Sequence, residues 1–97
     1  MAVIEIVTFR LLDGAAEAEF LDADAAFQTG FVYRQPGLLR RTVARGDAGA
    51  WLAVGVWESQ EAADAAWTAG QDEPLVARLA ELVDMASGER RCFTTLD

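Results

Sequence analysis

The chain is expected to adopt an α+β fold, a four-stranded antiparallel sheet with its helices on one face. Three observations predict it. The apolar period alternates between two and 3.6 along the chain, in the order β-α-β-β-α-α-β. The segment Trp51-Leu52-Ala53-Val54-Gly55-Val56-Trp57 is a strand without a polar face. Successive strand side chains point to opposite sides of a sheet, so this strand needs cover on both. Finally, a chain of 97 residues with short helices covers only one side. The other side calls for a second copy.

Each element has a local cause. Val3 to Leu11 is rich in β-branched and aromatic residues and reads as a first strand, ended by the turn pair Asp13-Gly14. From Ala15 to about Tyr33 the period is helical. Ala16, Phe20, Ala23, Phe27 and Phe31 form its apolar stripe. Glu17, Glu19, Asp22 and Asp24 crowd the early turns, where carboxylates suit the helix dipole, and are expected to be solvated surface. Gly30 weakens this helix, and a bend or fraying is expected there. Gln35-Pro36-Gly37 ends it. Leu38 to Arg45 is a second strand, joined by the loop Gly46-Asp47-Ala48-Gly49 to the doubly apolar third. Ser59 is an N-cap for a helix over Gln60 to Ala69. After a break at Gly70-Gln71-Asp72, Pro74 opens another helix with the stripe Leu75, Leu79, Leu82 and Val83. Ser87-Gly88 is expected to stop that helix, and Arg90 to Leu96 to form the last strand. Strand, helix, hairpin, helix, strand is the ferredoxin-like split βαβ order. One domain over residues 1–97 follows from the length and from a hydrophobic content of 53%.

Composition excludes whole classes of function. The formal charge of -8 argues against nucleic acid and against anionic membrane surfaces as partners. No apolar run is long enough to span a bilayer, and no leader pattern opens the chain, so a cytoplasmic location is expected. The single Cys92 suits a reducing compartment and reads as a small buried hydrophobe. The chain contains no His, no Lys and no Asn. Ser-His-Asp and Cys-His nucleophiles, Schiff-base chemistry and the P-loop are thereby excluded. Neither a metal nor another cofactor is expected.

Trp51, Ala53, Gly55 and Trp57 share one face of the third strand. Two small residues between two indoles either leave a hollow for a flat ligand or admit a closely packed helix. Phe27, Phe31 and Trp67 would wall such a hollow, and Tyr33 is either an exposed cap or a hydroxyl donor to it. Arg40 and Arg41 point to opposite faces, so one of them looks inward. It is either paired with Glu5 or Glu58, or held ready for a phenolate or carboxylate ligand. Arg90-Arg91 carry the same alternatives.

Pro36-Gly37, Trp57-Glu58-Ser59, Glu61-Ala62 and Trp67 resemble the antibiotic biosynthesis monooxygenase-like family of the dimeric α+β barrel superfamily, across nearly the whole chain. The resemblance implies a homodimer and a small aromatic or polyketide-like ligand. It also implies cofactor-independent oxygenation, in which an electron-rich phenolate itself reacts with O2. Ligand-contacting residues would be Trp57, Trp67, Phe27, Phe31, Tyr33 and Arg40, with Arg40 or Tyr33 stabilising the anion. The chain departs from the family's catalytic patterns. Ala53 stands where the quinone-forming oxygenases carry Asn, while Ala77 and Val7 stand where the haem-degrading branch carries His and Asn. A non-catalytic ligand-binding or interaction protein of the same fold, or a lactone isomerase-like enzyme, are the alternatives.

Overall fold

A computed structural model describes residues 1–97. The first strand, β1, runs Val3–Leu11 and leads into helix α1, Glu17–Gly30. A 3-10 turn at Val32–Arg34 precedes β2, Leu38–Arg45, which forms a hairpin with β3, Ala50–Trp57. Helix α2, Gln60–Ala69, is followed by a second 3-10 turn at Gly70–Asp72. Helix α3, Pro74–Ala80, then leads into β4, Val83–Thr94. The four strands form one antiparallel sheet in the order β2-β3-β1-β4. This is the ferredoxin-like α+β architecture.

Local signals account for most boundaries. The Ser59 hydroxyl accepts the Ala62 N–H at 3.1 Å, and Pro74 sits in the first turn of α3 behind a Glu73 cap. The hairpin closes through Gly46 N–H to Ala50 O at 2.8 Å, with Ala48 and Gly49 both at positive φ. Gly37 has φ +86°, and its carbonyl accepts the Glu58 N–H at 2.8 Å, tying the start of β2 to the end of β3.

The ends of two helices differ from expectation, and so does the last strand, which runs Val83–Thr94 rather than Arg90 to Leu96. Helix α1 stops at Gly30, three residues before Tyr33, and the chain tightens into the 3-10 turn. The final helix is shorter still. Leu82 and Val83 do not continue its stripe, because the Leu82 carbonyl accepts the Leu12 N–H at 2.9 Å and Val83 pairs with Leu11 of β1. A free strand edge therefore captures the segment that periodicity alone assigned to a helix. Ser87-Gly88 lie within β4, beside a register shift between Thr8 and Arg10. There the Ser87 hydroxyl accepts the Arg10 N–H at 2.9 Å and donates to Asp84 O at 2.6 Å.

The core sits under the helices in two clusters. One joins Val3, Trp57, Ala63 and Ala66; the other joins Phe20, Ala23, Trp51 and Leu82. Phe20 meets Trp51 edge-on, with centroids 5.0 Å apart. On the opposite face no helix lies. Ile4 opposes Val56 and Ile6 opposes Val54, while Leu52 and Phe93 extend the apolar area. These central aliphatics are half-buried and Phe93 is 46% exposed.

Gly37→Ala tests the entry to β2. A Cβ there would lie 2.6 Å from the Ala62 Cβ, on a backbone at positive φ. Overpacking and φ strain together should cost about 2–3 kcal/mol in urea unfolding.

Candidate functional site

The two core clusters leave a gap between them. On the helix-facing side of β3 the row is Trp51, Ala53, Gly55, Trp57, and each indole anchors a different cluster. The small residues between them, with Val7 and Phe9 of β1, floor a cavity of about 470 Å³. Its roof and walls come from Phe27 of α1, Phe31, Trp67 of α2, and Val76 and Leu79 of α3. That volume suits a ligand of two or three fused rings.

Gly55 places Trp57. A Cβ on Gly55 would lie 2.8 Å from Trp57 Nε1 and 3.5 Å from Glu5 Oε1. With only hydrogen there, the indole lies back over the strand and donates to Glu5 Oε1 at 3.1 Å. Glu5 is 9% exposed. Its other oxygen accepts from Arg90 Nε at 2.6 Å. Arg90 reaches on to Asp64 with Nη2 at 3.0 Å, and its guanidinium lies 4.8 Å from the centroid of the Trp67 ring. Burial works against the Arg90 charge, but the hydrogen bonds it donates to Glu5 and Asp64 outweigh it and hold the guanidinium above its ordinary range. Hydrogen bonds from Gln60 and then Arg90 hold the Asp64 carboxyl below its ordinary range.

A second pair closes the other wall. Arg41 forks onto Asp24 at 2.9 and 3.1 Å, donates to Gln28 at 3.0 Å and lies over Phe27 at 5.0 Å. Both side chains of this pair are 11% exposed. Removing one member of so buried a pair strands the other charge, at a cost of about 3–5 kcal/mol.

Trp57, Trp67, Phe27 and Phe31 are thus brought to one cavity, whereas Tyr33 and Arg40 are not. Tyr33, in the 3-10 turn, is 54% exposed. Arg40 faces away from the helices because β2 carries a bulge: Leu38 pairs with Trp57 and Arg40 with Val56. The extra residue reverses the alternation counted from Leu38 and turns Arg41 inward instead. Asp24 is buried and paired rather than solvated. Its spacing from Phe20 and Phe27 put it on the apolar stripe, the signal that could have revealed it. Glu5 does pair with an inward arginine, but that arginine is Arg90. Trp51 is core packing and does not line the cavity. Cys92 is half-buried and packs against the Val3–Trp57 cluster.

A family model for antibiotic biosynthesis monooxygenases matches residues 2–71. The chain belongs to this family. Among solved structures it is similar to SnoaB, a cofactor-independent oxygenase from Streptomyces nogalater, at 26% identity and a TM-score of 0.79. That match covers 99% of this chain and 94% of SnoaB. A conserved protein from Methanosarcina mazei Go1 shares the fold at 11% identity and a TM-score of 0.80, covering 98% of this chain and 93% of that one. Rv0793 from Mycobacterium tuberculosis does so at 19% identity and a TM-score of 0.71, covering 100% and 97%. No curated protein matches the chain. Ala53 lies on the cavity floor, where it contributes only a methyl group.

Gly55→Ala should push the Trp57 indole off Glu5. The expected result is a change in tryptophan fluorescence with a loss of about 1–3 kcal/mol of stability. An unchanged emission spectrum and unchanged stability would refute this role for Gly55.

Proposed function

We propose that the protein is a homodimer that binds a planar aromatic or polyketide-like molecule between its helices and sheet, in the manner of a cofactor-independent monooxygenase. The observation that carries this reading is the apolar cavity floored by Ala53 and Gly55 and walled by Phe27, Phe31, Trp57 and Trp67. Similarity to SnoaB supports oxygenation as the chemistry. In such a reaction the bound phenolate reduces O2. The protein's part is to orient the ring, exclude water and stabilise the anion.

A non-catalytic binder is the second reading, favoured by one feature. Both Glu5 oxygens and both Asp24 oxygens already accept hydrogen bonds from arginine or tryptophan donors, so a proton taken from substrate would weaken those contacts and is disfavoured. The same feature weighs against lactone isomerisation through Glu5 or Asp24. An oxygenase reading is therefore best served by a substrate that arrives ionised, or that loses its proton to water or to Glu89, a cavity-lining carboxylate with no hydrogen-bond partner.

A thermal-shift screen with phenols and anthrone-like compounds, followed by oxygen-electrode measurements, separates these readings. Stabilisation with O2 consumption is the outcome expected of an oxygenase. Stabilisation without it leaves the binder, and no stabilisation by any aromatic compound would refute both.

The uncovered sheet face supports the dimer. Ile4, Ile6, Leu52, Val54 and Val56 form its apolar centre, and burying about 800 Å² per partner suffices for a stable pair. Val54→Asp should convert a dimer to monomers in sedimentation equilibrium. A wild-type monomer at micromolar concentration would overturn this assembly.

A further inference from the structure

We infer that Arg90 selects ligands bearing an anionic oxygen, a phenolate or a carboxylate, and binds that oxygen through its Nη1. The inference rests on the aromatic-ligand reading above and adds the ligand's charge and the residue that reads it.

Two arginines line the cavity, and their donors are differently committed. Arg41 has both terminal nitrogens engaged, on Asp24 and Gln28, behind the Phe27 ring. Arg90 gives Nε to Glu5 and Nη2 to Asp64, and its Nη1 has no protein partner. No buried side-chain nitrogen or oxygen in the protein lacks a partner, so this Nη1 is not sealed in the interior. The Arg90 side chain is 24% exposed and lines the cavity, which places an open, charged donor at a site whose lining is mostly hydrophobic. A guanidinium meets an anionic oxygen with short, charge-assisted bonds.

The neighbours of Arg90 hold it in place without saturating it. Glu5 fixes Nε from below, and the Trp67 ring supports the guanidinium face. An aromatic ligand lying between Trp57 and Trp67 would bring a ring substituent within reach of Nη1. Asp64 is the weak member: its side chain is 55% exposed and it holds Nη2 by one bond. It competes with an incoming anion for the same charge, so neutralising Asp64 should strengthen anion binding.

Binding at mildly alkaline pH, where both anionic probes are fully ionised, can be measured by calorimetry and by quenching of tryptophan fluorescence. The probes are 2-naphthoate against 2-naphthamide for the carboxylate, and ionised 4-nitrophenol against 4-nitroanisole for the phenolate. The wild type should prefer the anion of one or both pairs by about tenfold or more, the worth of a charge-assisted hydrogen bond. Asp64→Asn should tighten the anion severalfold and leave the neutral probe unchanged. Arg90→Gln alone strands Glu5, so the double variant Glu5→Gln/Arg90→Gln keeps a neutral hydrogen-bonded pair. It should bind neutral probes and lose the anion preference, a change that a purely structural role for Arg90 would not produce. Equal wild-type affinity within both pairs, or a preference that survives in the folded double variant, would overturn the inference while leaving the aromatic-ligand reading intact. Binding of none of the four probes would overturn both.

Discussion

The interior depends on spacing along one strand. Trp51 and Trp57 are separated on the helix-facing side of β3 only by Ala53 and Gly55. Each indole fills the space between sheet and helices at its own end, and nothing of comparable size fills the middle. The helices lie across both ends, so the middle stays open as a cavity. Interiors are close-packed because unfilled volume forfeits dispersion contacts. A cavity of this size in so small a fold is maintained by the residues around it and is consistent with a ligand-binding role.

Polar groups inside the cavity follow from the same arrangement. An indole that folds back over Gly55 carries its N–H inward, and that donor needs an acceptor. Glu5 is the acceptor, and a carboxylate at 9% exposure needs a cation in turn. Arg90 satisfies it from the adjacent strand, at the position paired with Val7. Across the cavity, Arg41 and Asp24 satisfy each other on a separate pair of elements. Both buried carboxylates are therefore paired, and of the two cavity arginines only Arg90 keeps a terminal nitrogen uncommitted.

The two faces of the sheet serve different ends. The helix-facing side combines large and small residues and encloses space. The outer side is aliphatic at its centre, where Ile4 and Ile6 of β1 lie beside Leu52, Val54 and Val56 of β3, a surface suited to packing flat against a copy of itself. Long-range charge repulsion from a net charge of -8 disfavours loose association, so a pair would depend on close apolar contact.

Local sequence determined the strands β1, β2 and β3, helix α2, the N-cap Ser59, the helix-opening Pro74, and the small-residue gap of β3, because periodicity and capping act within one element. It also identified Phe27, Phe31, Trp57 and Trp67 as a set, since aromatic stripes at helical and strand spacing converge on one layer. Tertiary structure alone decided which arginines turn inward. A single bulged residue near Leu39 reverses the parity of β2, and Arg90 finds Glu5 across 85 residues of chain. The same holds for the end of α3, where an open edge of β1 outcompeted the helical pattern of Leu82 and Val83. Such outcomes depend on which segments become neighbours, and no short-range pattern encodes that choice.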